Sequence, residues 1–589
     1  MDFGLIADVY ERMTKTSSRT DLTNILSEIL KETPKELVGL VAYLTQGKLH
    51  PDFEGVELGM ADKMVSRAIQ KAFGSEPSEI QRLLRKTGDL GDVAALLSNK
   101  RMQRSLFEER LTVERVYSTL DQVARSSGSG STDLRIGKLV SLLNSASNVE
   151  AKFLVRFVNG KLRLGVADYT VLDALSLAFT GDRENREKLE KAYNISSDLG
   201  LVAQQLVENG LRAINAIKVS VGRPVRPMLA ERLGSSDEII GKMGGEAVAE
   251  YKLDGERVQA HKTRDGMIML FSRRLELITS HYGDIVEYLR TISASDFILE
   301  GEVVALDAKG RYLPFQELMH RRRKYGVKEA TEKYPACLNA FDILLLEGKE
   351  TIDLSYKERR EALEKLFARS KSIERSKLLL VPAKVVKDSK MIDHLMQDSL
   401  DAGCEGLVIK DTKSPYRAGA RGFAWIKFKP EYKEGVRDTI DLVIVGANHG
   451  MGRRAGYYGT FLLAAYDKDS DIFRTTTKIG TGFSDLDLAS LSKVLGKLKL
   501  GEKSSRVESN VSADDWFEPK MIIEVIASEI TLSPVYTAGL GMIREGSGLA
   551  LRFPKFTGKV RDDKAPEDAT TTRELVELYQ QQKRQFKND

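Results

Sequence analysis

Apolar residues recur at three- and four-residue spacing from Met1 to about Val219, as in DLTNILSEILKETPKELVGLVAYL over residues 21–44. That period marks helices with one buried face. No repeat of fixed length occurs, and the low-complexity run SSGSGS at 126–131 reads as a flexible surface loop. The segment VGRPVRPMLAERL breaks the helical texture around Arg223–Arg232 and reads as an inter-domain linker. From there to about Lys433, short aliphatic runs (FILEGEVVALD, CLNAFDILLL, EGLVIK) alternate with charged helical stretches such as SYKERREALEKLFARS. From Glu434 to about Thr557, strand-like runs (TIDLVIVGA, GTFLLAAYD, KMIIEVIAS) lie between glycine-rich turns, as a small β-barrel requires. A charged helical tail, TTTRELVELYQQQKRQFKND, closes the chain. The pattern predicts an all-α domain, then an α/β domain, then a small barrel.

Length agrees, since 589 residues exceed what one hydrophobic core serves and imply about three domains. Composition adds little: 42% hydrophobic and 30% charged describe an ordinary soluble globular protein. The net charge of +5 is a weak pointer to a polyanionic partner. The 2 cysteines, Cys337 and Cys404, exclude a disulfide framework and a four-ligand zinc site, and read as small buried hydrophobes of a reducing compartment. The start MDFGLIADVYERMTKT lacks the basic head and apolar run of a signal peptide. The longest apolar runs are too short to cross a bilayer, so a soluble, cytoplasmic protein with no membrane partner is expected.

The central chemical signal is Tyr251-Lys252-Leu253-Asp254-Gly255-Glu256-Arg257, of the form K-x-D-G-x-R. Its four fixed letters arise by chance in roughly a few per thousand chains of this length. A lysine amine can attack the α-phosphorus of a nucleotide only when deprotonated, and neighbouring cations or desolvation favour that state. Arg257, Asp254 and the glycine turn supply charge and close approach. Alone, the hexad reads equally well as a solvated turn before a strand.

Further stretches follow in order. They are Phe271-Ser272-Arg273-Arg274, Leu299-Glu300-Gly301-Glu302-Val303-Val304, Ala340-Phe341-Asp342-Ile343, Cys404-Glu405-Gly406-Leu407-Val408-Ile409-Lys410 and Trp425-Ile426-Lys427-Phe428-Lys429. Singly, Phe341 reads as core and the two glutamates as solvated strand ends. As an ordered set they resemble the motifs of the nucleotidyltransferase superfamily of DNA ligases and mRNA-capping enzymes. The resemblance implies that Lys252 is the catalytic nucleophile. It places Arg273 on ribose and phosphate, Phe341 against the adenine, and Glu250 as acceptor for the adenine amino group. Arg421 becomes a further nucleotide contact. Glu302 and Glu405 are hard oxygen donors suited to Mg²⁺, with Mn²⁺ as an alternative. Lys427 and Lys429 share a strand face and would neutralise the triphosphate as pyrophosphate leaves.

Three more stretches narrow the resemblance. EAKFLVR at 150–156, running on to Gly160-Lys161-Leu162-Arg163-Leu164-Gly165, is similar to the helical DNA-binding domain of replicative DNA ligases. There Lys161 and Arg163 beside glycines let amides and cations approach phosphates. DLVIVG at 441–446, then Arg453, Arg454 and Lys478-Ile479-Gly480-Thr481-Gly482-Phe483, are similar to the OB-fold domain of those enzymes. LRFPKF at 551–556 and VRDDKAPEDAT at 560–570 resemble the family's C-terminal motif, whose basic residues turn onto the ATP β- and γ-phosphates. The chain is therefore identified as a member of the archaeal and eukaryotic type of ATP-dependent DNA ligase. Absent cysteine clusters argue against the NAD⁺-dependent bacterial type.

The resemblance implies a helical DNA-binding domain at 1–222, an adenylation domain at 223–433, and an OB-fold domain with C-terminal helix at 434–589. It implies a monomer that seals nicks in duplex DNA using ATP through Lys252–AMP. The alternative is an RNA ligase or capping-type nucleotidyltransferase. Gln103, Leu106 and Phe107 have the glutamine and apolar–aromatic ending of a sliding-clamp peptide, or else staple a helix start. The basic run His320-Arg321-Arg322-Arg323-Lys324 reads as a DNA-phosphate contact or a solvated face.

Overall fold

The computed structural model describes residues 1–16, 18–99, 110–128, 130–307, 309–313, 315–321, 327–370, 376–429 and 439–588. The clamp-like segment with Gln103, Leu106 and Phe107 lies outside them. The chain divides into two compact units, Met1–Ala72 with Arg101–Glu434, and Phe73–Lys100 with Gly435–Asp589.

The first unit opens with helices, as the three- and four-residue spacing requires. They include Phe3–Thr14, Arg19–Glu32, Val38–Gln46, Val113–Arg125, Asn148–Val158, Asp168–Thr180 and Leu199–Asn215. Side-chain caps start them: Ser18 accepts from the Asp21 amide, and Ser147 with Glu150 forms a reciprocal capping box. Helices Val38–Gln46 and Leu199–Asn215 pack so closely at Gly200 that a Cβ there would meet the Tyr43 ring at 2.2 Å. After Asn148–Val158 the chain turns at Gly160, Arg163 and Gly165, all at positive φ. Leu162 and Leu164 are buried in this turn, while Lys161 is exposed and Arg163 half-buried.

The proline segment is strapped to its neighbours. Gly222 N donates to His261 Nδ1 at 3.0 Å, Val225 N to Gln259 Oε1 at 2.7 Å, and Ser197 Oγ to Pro224 O at 2.5 Å. Beyond it lie two sheets. One runs in the order Leu229–Arg232, Arg421–Phe428, Gly406–Lys410, Ala247–Lys252, Ala383–Val386. The other orders Ile268–Ser272, Glu256–Lys262, Phe297–Ala305, Ala336–Leu346 and Lys349–Glu350, with Leu378–Leu380 also on Ala336–Leu346. The stretch SYKERREALEKLFARS forms helix Tyr356–Arg369, opened by a capping box of Ser355 and Glu358.

The second unit is β-rich. Strands Ile440–His449, Tyr458–Asp467, Ile472–Ile479 and Asp515–Ile526 form the centre of its sheet. Register shifts at Ile444/Gly446 and Leu463/Ala464 curl it, as bulges do. Tail helix Thr572–Asn588 closes one side of its core through Leu575, Val576 and Tyr579. Helices Pro77–Thr87 and Leu90–Asn99 also belong to this unit. Gly88, between them, sits so near Ala455 that a Cβ would meet its Cβ at 2.9 Å. Helical periodicity reports a buried face and not which unit covers it, so the sequence does not register this.

Among the described residues, no helix is long and apolar enough to cross a membrane. Both cysteines are buried, and burial pushes their thiols up, to about 11 for Cys337 and about 12 for Cys404.

Candidate active site

Lys252 ends strand Ala247–Lys252 and is held to the next motif through the backbone, where Glu405 N donates to Lys252 O at 2.8 Å. Its Nζ pairs with Glu405 Oε2, and Lys429 Nζ reaches the same oxygen at 2.9 Å. The turn after Lys252 brings Asp254 in, with its Oδ2 accepting from Phe315 N at 3.1 Å. Strands Glu256–Lys262 and Phe297–Ala305 then set Arg257 opposite Glu302 in register. Three motifs far apart in sequence thus place Asp254, Glu302 and Glu405 around one lysine.

The three carboxylates differ in what surrounds them. Burial lifts Glu302 to about 7; Lys252 and Arg257 oppose the lift, while Glu405 and Asp254 add to it. Burial and the Glu405 charge raise Asp254 to about 6. Burial acts on Glu405 too, but Lys252 and Lys429 outweigh it and hold this carboxyl down at about 2. Among the described residues, no group of three or more His, Cys, Asp and Glu side chains is arranged to hold a metal ion. Glu302 and Glu405 nevertheless fit Mg²⁺, which is commonly bound by one or two carboxylates with waters and substrate phosphates completing the shell. A divalent cation would relieve the carboxylate repulsion that adds to burial in lifting Glu302 and Asp254.

Cations gather around Lys427. Lys427 lies opposite Arg232 across the parallel pairing of Leu229–Arg232 with Arg421–Phe428. Burial lowers Lys427 to about 8, helped by the charges of Arg232, Arg421, Lys252 and Arg273. Burial also lowers Arg273, with Arg257 and Arg421 adding repulsion. Cations that repel one another in a partly desolvated place are stabilised by a polyanion.

Glu250, two residues before Lys252, shares its strand face. It is 2% exposed, pairs with Lys410 Nζ at 2.6 Å, and accepts from Tyr356 OH and, at 3.5 Å, from Arg360 Nη1. Half-buried Phe341 stands beside it, with Lys410 Nζ 4.8 Å and the Arg257 guanidinium 5.4 Å from its ring and Trp425 edge-on at 6.1 Å. Arg257 is itself committed: Nη2 pairs with Glu300 at 2.7 Å and Nη1 donates to Met228 O at 2.8 Å. Burial works against the charge of Arg257, but the Glu300 pair outweighs it and keeps the guanidinium protonated.

Sequence reasoning missed Lys410, Tyr356, Arg360, Glu300 and Arg232 as neighbours of the site. A signal existed for two. Glu300 and Lys410 interrupt or end otherwise apolar strand runs, and a buried charge demands a partner. In the basic run, Arg321 is neither a phosphate contact nor a solvated residue. It is buried, pairs with Asp284 at 2.5 Å and lies over the Tyr282 ring. Residues 322–324 lie outside the described ones. In the second unit, Arg561 and Lys564 of the C-terminal motif hold Asp441 at 2.7 and 2.8 Å, and Arg454 Nη1 donates to Gly480 O at 3.0 Å.

Comparison with known proteins agrees along the whole chain. The model described as the ATP dependent DNA ligase domain matches residues 227–429, that of the DNA ligase N terminus residues 2–176, and that of the ATP dependent DNA ligase C terminal region residues 454–564. A "DNA ligase" of Nitrosopumilus maritimus (strain SCM1) is 48% identical over 586 residues, 99% of each chain. The "DNA ligase 2" of Thermofilum pendens (strain DSM 2475 / Hrk 5) is 47% identical over 594 residues, 99% of this chain and 98% of the relative. A "Probable DNA ligase" of Aquifex aeolicus (strain VF5) is 45% identical over 594 residues, 99% of each chain. The solved structure named "Pmar-Lig_PreS3" shares the fold, with a TM-score of 0.55 over 94% of this chain and 99% of its own at 18% identity.

Proposed function

The chain belongs to the ATP-dependent DNA ligases, and on that premise we propose that Lys252 is the amine that takes AMP from ATP. The observation that carries this reading is the pairing of Lys252 with Glu405 beside Lys427, whose neighbouring charges include Lys252, Arg273 and Arg421. The amine attacks the α-phosphorus and gives up a proton. The bond to the β-phosphate oxygen breaks, and pyrophosphate leaves with its charge neutralised by Lys427, Arg273 and Arg421. The 5′-phosphate of a nick then attacks the lysine-bound AMP and frees the amine. Finally the 3′-hydroxyl attacks that 5′-phosphorus, closing the phosphodiester and releasing AMP. Each step is in-line transfer at phosphorus, so positioning and charge neutralisation carry the catalysis.

Mg²⁺, or Mn²⁺ in its place, would be held by Glu302 and Glu405, and there it would polarise the phosphoryl group whose phosphorus is attacked. Phe341 and Glu250 take the adenine, with Phe341 as the stacking face and Glu250 as acceptor for its amino group. Arg257 braces that wall through Glu300. Residues 1–222 bind the duplex around the nick, 223–433 carry adenylation, and 434–589 form the OB-fold domain with its helix. The enzyme acts as a monomer inside the cell. A sliding clamp is engaged through Gln103, Leu106 and Phe107, and Phe107→Ala should then abolish clamp stimulation of sealing while leaving unstimulated sealing intact.

The test incubates the protein with ATP labelled at the α-phosphate, then with nicked duplex. An acid-stable protein–AMP adduct, absent from Lys252→Ala and discharged by the nick, is expected. Persistence of the adduct in Lys252→Ala defeats the reading.

A further inference from the structure

Glu250 and Lys410 form an ion pair that is almost wholly withdrawn from solvent, 2% and 1% exposed, with Nζ 2.6 Å from Oε2. The pair bridges neighbouring antiparallel strands, Ala247–Lys252 and Gly406–Lys410. Lys410 Nζ is enclosed by rings, 4.3 Å from the centroid of Trp425 and 4.8 Å from those of Phe341 and Tyr356. It also donates to Phe341 O at 3.4 Å. Desolvating two charges is costly, and a buried pair returns little net stability over an apolar substitute. What it supplies is a fixed carboxylate orientation.

That orientation can be read from the partners. Tyr356 OH and Arg360 Nη1 both approach Oε1, and Lys410 approaches Oε2. A carboxylate offers about four acceptor sites, so among the described residues one on Oε2 is left for a donor. Glu250 and Lys252 point from one strand face and are spaced by roughly 7 Å along it. A phosphate at Lys252 therefore puts the base of the same nucleotide within reach of Glu250.

We propose that Lys410 is the positioning residue for nucleobase selection: it holds Glu250 so that the spare lone pair meets the exocyclic amine of a 6-aminopurine and opposes a 6-oxopurine. The inference rests on the assignment of Glu250 to the base in the proposed function and adds how that choice is enforced. A 6-oxo group brings an acceptor against an acceptor and leaves one buried lone pair without a donor, the kind of mismatch by which binding sites discriminate most strongly. Without the lysine, Oε2 loses its nearest cation and the carboxylate is no longer held in that orientation. The spare lone pair then no longer faces the exocyclic position, and the discrimination collapses.

The experiment uses the full-length enzyme and measures kcat/KM for self-adenylation with α-labelled ATP and α-labelled inosine triphosphate. Wild type should favour ATP by about 100-fold or more. Lys410→Met should reduce this ratio at least tenfold, by lowering the ATP value while the inosine nucleotide holds or gains. Lys410→Arg, which keeps the cation, should restore most of the ratio. Equal losses for both nucleotides in Lys410→Met, with the ratio kept, would make the lysine merely structural and overturn the proposal. Should Lys410→Met not fold, the neutral pair Glu250→Gln/Lys410→Met decides. Its ratio should equal that of Glu250→Gln alone, and a further independent fall overturns the proposal. Glu250→Gln separates the two levels. If it leaves the ratio unchanged, the assignment of Glu250 to the base is wrong. If it collapses the ratio while Lys410→Met does not, only the role of Lys410 fails.

Discussion

Lys429 Nζ lies 2.9 Å from the Glu405 oxygen that Lys252 also contacts, so one carboxylate oxygen serves two cations from separate motifs. Those cations hold the folded Glu405 at about 2, against about 4.3 in an unfolded chain. Its stabilisation is fully present above about pH 4.3 and is lost as pH falls towards 2, because unfolding takes up a proton in that window. Glu405 is about a quarter exposed (27%), which discounts the effect to about 1–2 kcal/mol. Glu405→Gln should therefore be less stable than wild type at pH 7, with the gap narrowing near pH 3. Thermal unfolding at both pH values checks it, and a gap of equal size at both refutes it.

Glu302 carries the opposite sign. Burial raises its folded value to about 7, so the native state holds a proton between about pH 4.3 and 7 that the unfolded chain releases. Stability from this group is present at low pH and declines as pH rises through that window. Glu302→Gln, which mimics the protonated form, should be more stable than wild type at pH 8 in chelator, by up to about 3 kcal/mol. At pH 4 the two should nearly coincide. The same variant should adenylate itself at least ~100-fold more slowly, a trade of activity for stability. A variant no more stable at pH 8 than wild type would show that Glu302 is not strained in the native state.

The domain order and the residues around Lys252 were legible because they are local. Helical period, strand alternation and the ordered motifs each lie within short stretches, and they name Lys252, Glu302, Glu405, Arg273 and Lys427. Partnerships were not legible. Nothing in the run Cys404–Lys410 says that its last lysine crosses to Glu250, since that follows from the register of two strands 153 positions apart at Lys252 and Glu405. The run containing Arg321 reads as a phosphate contact or a solvated face because composition counts charge, whereas only the fold supplies Asp284 beside it. The grouping of Pro77–Thr87 with the C-terminal unit was hidden for a similar reason. An amphipathic face states that it is covered, and its cover can come from any part of the chain.

Beneath the base-stacking candidate Phe341, Asp342 and Arg359 make a two-pronged ion pair of 2.7 and 3.1 Å, both fully buried. Removing one partner strands a charge in the interior, a loss of about 3–5 kcal/mol. Asp342→Ala should thus lower the melting temperature sharply. Asp342→Leu combined with Arg359→Met should lose far less, because both desolvation costs vanish with the pair. Denaturant unfolding of the two variants tests this. If the double variant is as unstable as the single, the pair matters for its geometry and not for its charge.

Gly255 sits where strand Phe297–Ala305 crosses the turn after Lys252. A Cβ there would lie 2.2 Å from Val303 O and 2.9 Å from Glu302 Cγ. Neither neighbour yields cheaply, one being backbone and the other the stem of a proposed metal-binding carboxylate. Gly255→Ala must therefore push the turn away from the strand and alter the spacing of Lys252 and Glu302. Displacements near 1 Å in such a site cost on the order of 100-fold in rate, and that is the expected fall in self-adenylation. Gly266 is the control. It turns at φ +86° with nothing within 4 Å of its Cβ position, so it is needed for conformation and not for space. Gly266→Ala should cost about 1 kcal/mol of stability and leave adenylation within twofold or so of wild type. If Gly255→Ala adenylates as fast as Gly266→Ala, the close approach at Gly255 plays no part in placing the lysine.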